Sequence, residues 1–150
     1  MAEALGMVGA SASILGIIHI LGKTVITLHT LRSRYQEAAF TFLNLIAQLT
    51  ALKAALNQLQ TWMDTDIDEP HHQLVMDLEL SVMCCRMLVG KIDDEVEGME
   101  VGELDGREKI RMVMKNGTLE DLQKMVDRQT SALTLLLTVC NWYCHFKVRI

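Results

Sequence analysis

Phe42, Leu45, Leu49, Leu52, Leu56, Leu59 and Met63 follow one another at spacings of 3 and 4 residues, and this seam constrains the fold more than any other feature. An α-helix turns about 100° per residue, so apolar positions at that period fall on one side of it. On a strand the same residues would be divided between two faces. A second seam runs through Val75, Leu78, Val82, Cys85, Val89, Ile92 and Val96. A third runs through Leu119, Leu122, Val126, Leu133, Leu136 and Cys140, interrupted by polar Gln129. Each helix then has one face to bury, and such faces are buried on one another.

Breakers separate the seams. Arg32, Ser33 and Arg34 mark a break after the first apolar segment, with Gly22 as a kink position within it. The acids of Asp64 to Glu69 and the single proline, Pro70, end one helix and open the next, since proline and acids suit a first helical turn. Gly98, Gly102 and Gly106 make a flexible connection, and Asn116-Gly117 stops a short helix over 107–115. Thr118 is an N-cap for the last helix, with Asp121 three residues on. The expected fold is all-α, a four- to five-helix bundle with a hydrophobic N-terminal helix. Residues 1–140 form the bundle and 141–150 a tail.

The N-terminal helix begins with Ala4–Gly22, 19 residues without a formal charge. As a helix they would span roughly 28 Å, close to the thickness of a bilayer's hydrocarbon core. Ala2, Gly6, Gly9, Ser13 and Gly16 follow at spacings of 4, 3, 4 and 3 and form one stripe of small residues. Such a stripe lets another helix approach closely, so these five are the candidates for helix association. Leu5, Val8, Leu15 and Ile18 lie outside the stripe and are the candidates for membrane insertion. At rest the small stripe is expected to lie against the bundle. His19 is the one ionisable side chain of the run and reads as a hydrogen-bonded or groove-facing residue. With Glu3 and no basic residue ahead of the run, a cleaved secretory signal is not expected.

Charge and cysteines narrow the function. Residues 62–106 hold thirteen of the nineteen acids, which argues against a general nucleic-acid binder. Cys84 and Cys85 are adjacent, and Cys140 and Cys144 are one turn apart, a pattern that suits reduced core thiols and a cytosolic resting form rather than a disulfide framework. Asp64, Asp66 and Asp68 imitate the start of a calcium loop, but Glu69 and Val75 stand where that loop needs glycine and glutamate. Cys140, Cys144 and His145 lack a second ligand pair for zinc. His71 and His72 sit at a helix start and read as exposed. No phosphate-binding glycine loop, nucleophile elbow or catalytic acid pair is present, so no enzyme activity, cofactor or metal is expected.

Three stretches together resemble a known family. The start Met1-Ala2-Glu3-Ala4-Leu5-Gly6, the stretch from Lys109 to Asn116 with Leu119 to Leu122, and Asp127 to Leu137 are similar to fungal HeLo-like domains, also labelled as the N-terminal domain of an azaphilone-pigment cluster protein. The family's frequent aromatic residue in the penultimate helix is replaced here by Val113 or Met114. The resemblance implies an N-terminal domain of STAND or NLR-like receptors, often ahead of ankyrin repeats, distantly similar to the four-helix killer domain of the mixed-lineage pseudokinase of necroptosis. It implies a cytoplasmic resting form that oligomerises and inserts residues 2–22 into the plasma membrane in programmed cell death or innate-immunity signalling. The alternative is a soluble helical adaptor that recruits another helical domain and never touches lipid. The seams at 42–63 and 75–96 lack regular flanking charge, which suits an internal core better than a shared one.

Overall fold

The computed structural model describes residues 2–64, 72–100, 108, 110–111 and 115–148, with side chains described for 12–64, 73–100, 108, 110–111, 115–142 and 145. Apart from Tyr35 and the Asn116–Gly117 turn, every described residue is helical. The elements are α1 (Ala2–Arg34), a short 3-10 turn (Gln36–Ala38), α2 (Ala39–Asp64), α3 (His72–Glu100) and α4 (Thr118–Val148). Among the described residues the protein is thus an all-α bundle of four long helices. Residues 108, 110–111 and 115 are helical where a short fifth helix was expected, and their neighbours lie outside the described residues.

Two boundaries differ from the sequence reading. α4 starts one residue earlier than expected: the Asp121 amide donates to the Gly117 carbonyl at 3.0 Å, so Gly117 rather than Thr118 stands at the cap position. Gly117 has φ +68, a left-handed turn that glycine adopts without steric cost. α4 also continues past Cys140 to Val148, so 141–148 extend the helix. Nothing between Asn141 and Val148 is a glycine or proline, and a lone asparagine does not end a helix. α1 runs through Gly22 as one helix and turns at Tyr35, whose amide still donates to the Leu31 carbonyl at 2.8 Å.

α1 and α4 each pack against both α2 and α3. Lys23 of α1 meets Asp93 and Glu97 of α3, and Arg34 shares a cleft with Ile110 and Arg111 beyond the end of α3. α1 and α3 therefore run in the same direction. Gln123 near the start of α4 donates to the Thr41 carbonyl near the start of α2, so those two run together the other way. The core between them is one continuous apolar cluster. All seven residues of the α3 seam are buried, as are six of the seven in α2, with Met63 partly buried at its end. In α4 the buried position is Leu137, and Leu136 is only half-buried. Gln129, which breaks that seam, is half-buried and takes the Cys85 thiol as a neighbour at 4.0 Å.

These burial patterns set a contrast in stability. Leu56→Ala, at a fully buried position, should cost about 2–5 kcal/mol in urea denaturation followed by circular dichroism. Leu135→Ala, at a position 67% exposed, should stay within about 0.5 kcal/mol of the parent.

Candidate functional site

The seat of α1 is the feature on which the sequence reading placed function. Ile14, Ile17, Leu21, Leu28 and Leu31 are at most 1% exposed and form the face of α1 that enters the core. Thr24 interrupts that row and is itself only 1% exposed. Its hydroxyl has two acceptors, the Ile20 carbonyl at 2.8 Å and Asp93 Oδ1 at 2.9 Å, so it is satisfied in either rotation of its one hydrogen. A bare hydroxyl there would be costly; paired, it fixes the height of α1 on α3.

Lys23 lies beside it. Its Nζ donates to Glu97 Oε1 at 2.6 Å and reaches Asp93 Oδ2 at 3.5 Å. Asp93 thus divides its two oxygens between a buried hydroxyl and an exposed ammonium. The hydrogen bond to Glu97 holds the Lys23 pKa above its ordinary value of 10.5; partial desolvation opposes this, and the charges of Asp93 and Glu97 add to it. The Lys23 and Glu97 side chains are about half exposed, at 52 and 49%, so salt screens their pairing. One carboxylate oxygen each from Asp93, Asp94 and Glu97 lies within 4.8 Å of the others, and Lys23 already serves two of these acids as counter-cation.

The expected site residues divide as follows. Leu15 is 56% exposed, whereas Ile18 is half-buried and packs on the core. Ser13 is half-buried and Gly16 exposed, and a Cβ built on Gly16 would meet nothing within 4 Å. At Gly16, the last residue of the small stripe, α1 faces open space and not the bundle. The reason is helix phase. Ile14, Ile17 and Leu21 share a different side of α1, and burying them removes far more apolar area from water. The side chains of Ala2, Leu5, Gly6, Val8 and Gly9 lie outside the described residues, as do His71, Asp66, Asp68 and Cys144. His19 is exposed.

Sequence reasoning missed the Lys23–Thr24–Asp93–Glu97 group. Lys23 was visible as the residue closing the uncharged run, but its partners are 70 and 74 residues away. Two stretches, Ala12–Arg34 and Gln36–Asp64, are long and apolar enough to cross a membrane, with mean hydropathies of 1.6 and 1.4. The central helices of a water-soluble bundle meet the same criterion. The chain matches no family model, no curated protein and no solved structure.

Cys84 is exposed, and Cys85 and Cys140 are buried. Burial, with the neighbouring Cys84 adding to it, pushes the Cys85 thiol up to about 12. Cys140 faces the core and His145 the solvent, so they do not converge as metal ligands.

Two measurements follow. Lys23 pairing stabilises the fold fully below its unfolded value near 10.5 and is lost as pH rises through the higher folded value. The stability gap between the parent and Lys23→Met should therefore be constant from about pH 8 to 10 and close above it. Brief alkylation of the native protein should mark Cys84, while Cys85 and Cys140 react only on unfolding, as peptide mapping would show.

Proposed function

We propose that the chain is a membrane-directed effector module, HeLo-like in kind, that oligomerises and inserts its N-terminal helix into a lipid bilayer. In this reading it is cytoplasmic at rest, moves to the plasma membrane in programmed cell death or innate-immunity signalling, and is triggered by a STAND or NLR-like receptor. The observation that supports it is the position of Lys23. The uncharged run of Ala4–Gly22 ends at this residue, and at rest its ammonium is held by acids at the surface of α3. An anionic headgroup offers the same ammonium an equivalent partner, so Lys23 could stay at the interface while the run enters the hydrocarbon. Exposed Leu15 already lies outside the core.

A soluble adaptor is the second reading, and exposed Phe40 and Leu43 at the start of α2, 81 and 42% accessible, favour it. Removing all of residues 2–22 would take Ile14, Ile17 and Leu21 from the core and unfold the bundle, so it cannot distinguish the two. Removing residues 2–11 leaves that face intact. Dye release from anionic liposomes by the whole chain, as forced oligomers, and its loss in the chain lacking 2–11 is the expected result. Equal release by both would overturn the assignment to the N-terminal helix, and release by neither would leave the adaptor.

A further inference from the structure

Met76, Leu80, Met83 and Met87 are 50, 62, 58 and 71% exposed. Their spacings of 4, 3 and 4 place them in one stripe on the side of α3 opposite the buried row from Val75 to Val96. The stripe runs into a shallow groove lined by Met83, Arg86, Met87, Gly90, Lys91 and Asp94. A Cβ built on Gly90 would meet nothing within 4 Å, so a second helix could come close there. Four large apolar side chains in succession are unlike an ordinary solvated helix face, and nothing among the described residues covers them.

We infer that this face of α3 pairs with the same face of a second copy, antiparallel, about a twofold axis level with Ser81 and Val82. The stripe reads the same in both directions. An antiparallel partner therefore sets Met76 against Met87 of the second copy and Leu80 against Met83 of the second copy. Charge agrees with this register. In such a pair each flank of the helix meets its own counterpart. Glu79 and Arg86 lie on one flank, and the twofold axis brings each to the other across the interface, offset by about 3 Å along the helix. Symmetry makes two such pairs. Neither residue has an ion-pair partner in its own chain among the described residues. A parallel pairing would instead leave opposite charges about 10 Å apart along the axis. Methionine side chains adapt to one another across such a seam.

Three turns of helix on each side bury less than the roughly 1,200 Å² of a stable standard interface, so the pairing depends on concentration. It gives the self-association of the proposed function a surface, but it does not require membrane activity. It is measured without lipid, so its failure and a failure of dye release are separate results.

The experiment is sedimentation equilibrium of the whole chain in reducing buffer, with circular dichroism to verify that each variant is folded. The parent should show a monomer–dimer equilibrium. Met83→Glu should weaken it about tenfold or more by placing two carboxylates in the apolar seam. Glu79→Arg and Arg86→Glu should each weaken it roughly threefold to tenfold, and the two combined in one chain should restore it. A parent that stays monomeric up to about 1 mM overturns the pairing. So does a dimer indifferent to Met83→Glu, or a double exchange no better than either single one. A monomeric parent whose binding to anionic liposomes is lost in Met83→Glu also overturns it and assigns the stripe to lipid.

Discussion

The bundle depends on burying the aliphatic side of α1. Ile14, Ile17, Leu21, Leu28 and Leu31 are enclosed between α2 and α3, and α4 closes the opposite side of those same two helices without packing broadly on α1. Each such side chain contributes about 1.5–3 kcal/mol on burial, so the five together rival the whole stability of an ordinary domain. α1 is therefore part of the core and not an appendage laid on it. Any event that frees all of it also unfolds what remains, unless lipid or further copies replace the lost contacts.

The polar group on α1 modifies that constraint. Apolar packing along a parallel pair of helices tolerates sliding by a turn, because every turn offers a similar row. Thr24, buried and bonded to Asp93, favours one register: after a shift of one turn its hydroxyl would keep the Ile20 carbonyl, but Asp93 would lose its buried donor. Lys23 supplements this from outside, where water and salt compete for it. Register is thus held by the inner residue and tuned by the outer one. In the release proposed above, a charged surface would reach Lys23 directly and Thr24 only after α1 had moved.

Helix type and phase were legible in the sequence because they are local. The seams of α2 and α3 are buried almost residue for residue, since a period of 3 and 4 leaves one choice of inward face. The N-terminal run was harder to read because two stripes compete on it. Small residues at Ser13 and Gly16 and bulky ones at Ile14, Ile17 and Leu21 both keep helical spacing. Which stripe turns inward depends on whether the neighbour is water-soluble protein or another membrane helix, and that is not written in the segment. Near the end of α4, Leu137 joins the seam beside half-buried Leu136, because a drift in phase over a long helix shares burial between adjacent residues. The contacts of Lys23 and Thr24 join positions some 70 residues apart, beyond the reach of any local pattern.

α1 and α3 are neighbours, yet the features on which the two proposals rest use different sides of them. The pairing of Lys23 with Asp93 and Glu97 joins α1 to α3 toward the C-terminal end of α3, while the methionine stripe spans Met76 to Met87 and faces outward. Association through the stripe would leave those ion pairs untouched, and opening them would leave the stripe in place. The two events can therefore occur in either order. They become coupled only when membrane and copies are present together, because a ligand shifts an equilibrium by no more than its difference in affinity for the two states. Because α1 runs with α3, the antiparallel pair points its two N-terminal runs in opposite directions. Both meet one surface only when that surface lies along the pair, and the second then binds at the high local concentration set by the first. Cooperativity of that kind requires no conformational signal through the core. It follows from α3 having one side for its own bundle and another, apolar side that the bundle leaves open.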